Sequence, residues 1–314
     1  MNLPNAPLLL TGLLSLTLGA CTDNPAAPPT GPFDIAFTRE PVDGATPPEV
    51  WVMRADGTNQ KQVTENGVAW MPRLSPDGSQ IVFESIGTEL DIMDVKTGAR
   101  RKLASGVPCC AQWSPDGTVI AFTNSTGLYT PHQIFIIDPD GTNLRQLTSD
   151  ASYTDTSFSK DVASWSPDGN RILFTAEYDN VPNPTTALYV MQKDGTGMTP
   201  ITDTTAGGVG NSAAWSPDGR MITFVADGGF IGMSQLRYHS TIHTMNADGT
   251  GRVQLSADTS KDSFPNWSPD GKQILFSSER DGHSQIYVMN ADGTSQRRLV
   301  TSSTNDRYPS WRHP

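Results

Sequence analysis

The chain has 314 residues, with 22 Lys and Arg against 33 Asp and Glu, a formal net charge of −11 and a pI near 4.8. That balance excludes a nucleic-acid binder, because phosphate contacts need clustered Lys and Arg. Beyond the first twenty residues no apolar run is long enough to span a bilayer, and no GxSxG elbow, HExxH helix or phosphate-cradling glycine loop occurs.

Residues 1–20 contain PLLLTGLLSLTLGA, too short and too Gly/Thr-broken for a spanning helix and shaped like the apolar region of a signal peptide. Leu18-Gly19-Ala20-Cys21 resembles the lipobox of bacterial lipoproteins, which implies lipidation of Cys21. The lipobox departs from its usual setting in having no Lys or Arg before the apolar run. Thr22 is not the aspartate that retains such proteins at the inner membrane, so an outer-membrane destination is expected, with the folded part in the periplasm or at the cell surface. Residues 21–32 are Pro-rich and polar and read as an extended tether.

From residue 33 to 314 the chain repeats itself. Ser-Pro-Asp-Gly occurs at Ser75, Ser114, Ser166, Ser216 and Ser268, preceded by Leu74 and then by Trp113, Trp165, Trp215 and Trp267. An apolar strand follows each time: IVF at 81–83, IAF at 120–122, ILF at 172–174, ITF at 222–224 and ILF at 274–276. A second turn, Asp-Gly-Thr, recurs at Asp56, Asp140, Asp194, Asp248 and Asp292, with a degenerate form at Lys96-Thr97-Gly98. Pro presets φ, Asp accepts bonds from backbone donors, and Gly accepts positive φ, so both motifs predict tight turns between short antiparallel strands. Four such strands cannot bury two apolar faces alone, so the units must stack.

The ends fix the count. FDIAFTRE (33–40) matches the second strand of a unit with no first strand before it, and Tyr308-Pro309-Ser310-Trp311 matches the first strand of a unit with nothing after it. Together they complete one unit, and the IxF strands then number six. The prediction is an all-β, six-bladed propeller whose C-terminal strand joins the N-terminal strands and leaves no open sheet edge there.

The succession WSPDG, IxFxS, IYVMNADGT and LT resembles the WD-like Pro-Asp repeat of the TolB propeller family over roughly residues 33–311. The resemblance departs from TolB itself, whose preceding α/β domain and N-terminal signalling box have no counterpart in this sequence. It therefore implies the architecture more strongly than TolB's own task.

By strand order, SPDG and DGT share one rim, and the variable loops 39–49, 124–133, 176–187 and 226–241 share the other. Recognition is expected on that long-loop face, from Tyr129, Tyr178, Phe230, Arg237, Tyr238, His239 and His283. The repeated turn aspartates read as turn chemistry, and the tryptophans as packing between blades. His243 occupies a slot held elsewhere by Tyr287, Tyr189 and Phe135 and reads as a core ring, while His132, His239 and His283 stand near the tops of third strands. Asp262 and Asp306 lie five residues before their tryptophans and Asp161 lies one residue off that offset; a Ca²⁺ or Mg²⁺ ion held by the three at the channel mouth is the cation candidate, and no other cofactor is expected. Cys109-Cys110, at the start of a first strand, is a candidate vicinal disulfide in an oxidising compartment.

The leading functional reading is a non-enzymatic, lipid-anchored, monomeric binding module for an envelope or extracellular protein or peptide. It touches the membrane through its anchor alone. The alternative is a propeller enzyme, a lyase or glycan-processing activity, with Arg237, Tyr238 and His239 at the channel mouth. A passive envelope scaffold is the third reading.

Overall fold

Each repeat folds as a four-stranded antiparallel sheet, and six such sheets stand around a central channel. The structure, a computed structural model, describes residues 33–65, 67–85, 88–125, 131–149, 158–178, 185–202, 209–227, 240–257 and 261–313. Among them no helix is long and apolar enough to cross a membrane.

The innermost strands of blades one to six are Thr304–Trp311, Ala69–Leu74, Cys109–Trp113, Phe158–Trp165, Val209–Trp215 and Asp262–Trp267. Each contacts the innermost strand of the next blade. Blade one is the composite: Thr304–Trp311 pairs with Ile35–Pro41, matching Trp311 to Ile35 and Asp306 to Arg39. The closure expected from the two ends is therefore the one observed. Trp311 packs with Ile35, Phe37 and Met53 of its own blade and with Leu275, Ile286 and Val288 of blade six.

The IxF signature now has a physical reason. Ile81 and Phe83 face blade one, where they meet Val50 and Val52, while Val82 between them faces blade three and meets Ile120 and Phe122. Alternate residues of a strand point to opposite faces, so a blade buried on both sides needs an unbroken apolar run. Six apolar clusters result, each shared by two neighbouring blades. Trp113 and Trp165 also donate Nε1–H across the seam, to the carbonyls of Arg73 and Gln112, each at 3.1 Å. His243 is a packed ring, stacked on Phe224 at 5.6 Å between centroids.

Both turn motifs do what their chemistry asks. At Ser114 the hydroxyl donates to Asp116 at 2.6 Å, Gly117 N–H returns to the Ser114 carbonyl at 2.9 Å, and Val119 N–H donates to the hydroxyl at 3.0 Å. The Ser114 hydroxyl bond holds the Asp116 carboxyl below the usual carboxylate range. In the Asp248 turn, Thr250 donates both its N–H and its hydroxyl to the carboxylate. Gly249 there has φ of 87°, and a Cβ on it would lie 1.9 Å from the Ile201 carbonyl oxygen of blade four. Blade two, whose second turn is degenerate, differs in its outer strand, Arg100–Ser105, which has six residues where the outer strands of the other blades have two.

Candidate functional site

The channel walls come from the innermost strands, which the SPDG turns terminate on one rim. The half towards that rim is a chamber of about 230 Å³ lined by Trp113, Trp165, Trp215 and Trp311. The other half, opening towards the long-loop face, has about 320 Å³ and is lined by Met71, Cys109, Cys110, His132, Asp161 and Phe264 among others. Arg73, Gln112, Ala163 and Asn266 line both chambers and so form the waist between them.

The upper chamber owes its shape to a backbone irregularity. Met71, Cys110, Phe264 and Tyr308, equivalent positions in blades two, three, six and one, have φ between 50° and 59°. A non-glycine residue pays about 1–2 kcal/mol for that conformation, so four in a ring are held there by their surroundings. The strand registers of all four blades shift at or next to this point. On one side the bulge gathers aromatic rings: Tyr308 packs edge-on to Phe264, centroids 4.4 Å apart, and to Trp70 at 5.7 Å, all three half-buried.

On the other side it gathers groups with chemistry. A regular strand would send Cys109 and Cys110 to opposite faces. The positive φ at Cys110 instead turns the sulfur atoms of both residues into the same chamber, in contact with each other. Cys109 Sγ lies 3.8 Å from Asp161 Oδ1, which is itself 3.1 Å from His132 Nδ1. Glu84, on the second strand of blade two, accepts a 2.9 Å bond from the Cys110 N–H, and burial pushes its carboxyl up to about 7. The hydrogen bond to Cys110, then burial, pushes the Cys109 thiol well above its ordinary value. Arg73 at the waist donates Nη1–H to the Pro72 carbonyl at 2.9 Å, while its Nε–H is buried without a partner. Burial lowers the Arg73 pKa, against the pull of Cys110 and Glu84.

The three carboxylates expected to share a cation are not brought together. Asp262 is fully buried and paired with Arg280 Nη2 at 3.1 Å, and Asp306 is fully buried and paired with Arg39 Nε at 2.7 Å. Each of those arginines also lies over an aromatic ring, Arg280 on Tyr287 and Arg39 on Trp51. Asp161, one residue out of register with the other two, faces the chamber instead. A one-residue shift along a strand changes the face, and that accounts for the difference. His283 stays within its own seam, its Nε2 being 3.2 Å from the Ser302 carbonyl. Tyr178 ends the second strand of blade four, opposite Phe158 and Thr185. Cys21, Tyr129, Phe230, Arg237, Tyr238 and His239 lie outside the described residues.

Arg73 and Glu84 escaped the sequence reading, although each breaks a pattern. Glu84 fills a slot held in the other blades by Thr38, Thr123, Thr175, Val225 and Ser277. Arg73 fills one held by Gln112, Ser164, Ala214, Asn266 and Ser310. A charge in a slot that is uncharged in every other repeat marks a local requirement.

The TolB β-propeller domain pattern matches residues 34–182 and 233–313. The chain belongs to the TolB β-propeller family. A TolB homologue from Chlorobium luteolum is 30% identical over 134 residues, which are 41% of this chain and only 28% of that protein, so the match spans just over a quarter of the relative. The structure of TolB from Acinetobacter baumannii superposes with a TM-score of 0.71 at 21% identity, over 90% of this chain and 67% of that one. An oligogalacturonate lyase in complex with manganese shares the fold at a TM-score of 0.50 and 17% identity, over 79% of this chain and 84% of the lyase.

Proposed function

We propose that this TolB-family propeller is a non-enzymatic binding module of the bacterial cell envelope, engaging a protein or peptide through the channel mouth on its long-loop face. The observation that carries this reading is the aromatic group Trp70, Phe264 and Tyr308. It stands half-buried at the strained bulge, beside a chamber of about 320 Å³. Rigid aromatic rings at the edge of a concave site lose little entropy on binding and bring large apolar area, as interface anchors do. The TolB relatives support an envelope location. The signal-peptide reading of residues 1–20, the lipidation of Cys21 and the tether to residue 32 supply the route to it, with the outer membrane as destination. The opposite rim is committed to turn chemistry and has little freedom to encode a partner.

The test is capture of envelope proteins by the propeller, compared across variants. Phe264→Ala and Arg237→Ala should weaken the captured complex by about 1–3 kcal/mol, on the scale of interface anchors. Thr250→Lys, on the SPDG rim, should not. If Thr250→Lys abolished capture while the other two left it intact, the face would be wrongly assigned.

A further inference from the structure

We propose that Cys109, His132 and Asp161 form a binding site for one thiophilic divalent metal ion, Zn²⁺ by its ligand chemistry, in the wall of the upper chamber. The inference does not rest on the partner-binding reading, since it needs no partner.

The geometry is the first support. Cys109, His132 and Asp161 offer donor atoms all within 4.8 Å of one another, and Cys109 shares a second such group with Cys110 and Glu84. Zinc bonds of about 2.0–2.1 Å to nitrogen or oxygen and about 2.3 Å to sulfur put tetrahedral donor atoms roughly 3.3–3.8 Å apart. The observed 3.1 Å from His132 to Asp161 and 3.8 Å from Cys109 to Asp161 bracket that spacing. Three protein donors leave the fourth tetrahedral position to solvent, as in an open zinc site.

The second support is how the donors are held. They come from three separate segments: the innermost strand of blade three, the residue entering its third strand, and the innermost strand of blade four. The Lys160 N–H donates to the His132 carbonyl at 3.1 Å, locking the two blades together at this point. Glu84 fixes the Cys110 backbone, so the strained φ that turns both sulfurs into the chamber has a dedicated partner. Such contacts orient ligands and tune affinity.

Ligand softness selects the ion. A thiolate, an imidazole and a carboxylate suit zinc and its soft neighbours, while Ca²⁺ and Mg²⁺ require oxygen shells. The Ca²⁺ or Mg²⁺ ion expected at Asp161 with Asp262 and Asp306 would lack those two carboxylates, which stand elsewhere. Loading the site would release the Cys109 thiol proton to solvent and leave the ion with its protein ligands electrically neutral.

Cobalt(II) titration of the reduced protein, followed by absorption, is the test. One equivalent should bind with thiolate-to-cobalt charge-transfer bands and tetrahedral ligand-field bands. Zn²⁺ should bleach them and a large excess of Ca²⁺ should not. Cys109→Ser should remove the charge-transfer band. Asp161→Asn keeps both thiols and the shape of the side chain, and should weaken cobalt binding about 10–100-fold. His283→Gln, one residue from the corresponding place in blade six, should change nothing. Thermal melts of each variant separate loss of metal from loss of fold. Reduced, folded wild type that binds no cobalt, or binding unaffected by Cys109→Ser and Asp161→Asn, would overturn the proposal.

Discussion

Single residues set the limits of this ring at two kinds of position. The first is the glycine of a tight turn. Gly249 and Gly44 both have positive φ, but a Cβ at Gly44 meets nothing within 4 Å whereas one at Gly249 meets the neighbouring blade's backbone. Alanine at either position costs about 1–2 kcal/mol for the left-handed backbone alone. Gly249→Ala should cost at least about 2 kcal/mol more than Gly44→Ala, because blades four and five must separate to admit it. Equal denaturant midpoints for the two variants would contradict this account of the seam. The second kind is the buried titratable group. Burial, with Arg73 adding to it, lowers the His313 pKa from 6.5 to about 4. The unfolded chain then binds the proton that the folded chain refuses, so the His313 contribution falls as the pH drops from about 6.5 towards 4, while Glu84, raised to about 7, contributes in the opposite sense as the pH drops from 7 towards 4.5. The turn aspartates are depressed below 3.8, and their contribution is lost only at lower pH. His313→Gln should leave the Glu84 contribution unopposed, so its melting temperature should rise relative to wild type as the pH falls from 6.5 to 4, measured by calorimetry at several pH values; a difference between the two proteins that does not change with pH would assign the dependence to another group. At this scale the sequence was least legible. Cys109, Cys110, His132 and Asp161 each stood out, yet they are spread over more than fifty positions, and only the contact between blades three and four unites them. No spacing rule encodes that contact, because it depends on how two separately formed sheets meet across a seam.

At the level of strands the repeats told nearly everything. The two turn motifs and the IxF run gave strand order, rim assignment and the need for neighbours, because each rests on local stereochemistry that tertiary structure does not override. The bulge behind Met71, Cys110, Phe264 and Tyr308 was not visible, since those residue types do not ordinarily take positive φ. Three of the four precede a proline, which announces restricted backbone but favours the extended region instead. The strand that matters most for stability is Thr304–Trp311. Trp311 is 6% exposed and joins the cluster between blades one and six. Trp311→Ala should cost about 3–5 kcal/mol, as other large buried aromatics do, and deletion of residues 304–314 should cost more. A shortened protein melting with the wild type would mean that the ring closes by other contacts.

The whole molecule is a ring of six seams in which no blade owns a private core. Its proposed placement in the cell rests on the segment before residue 33. Cys21→Ser should move the protein from the membrane fraction to the soluble one, because a single residue would carry the acyl chains. Membrane retention of that variant, with no acyl mass on a peptide beginning at Cys21, would argue against the anchor. Closure of the ring joins positions far apart in sequence: the Arg39–Asp306 pair that fastens blade one spans 267 residues. A chain threaded through a membrane pore from its N-terminus delivers Ile35–Pro41 first and its partner strand last. During the whole interval blade one presents a bare sheet edge, and the five later blades stand as an open arc. On the proposed export route, closure of the ring would thus wait for Thr304–Trp311, and a holding chaperone that shields strand edges would act longest at the N-terminal blade.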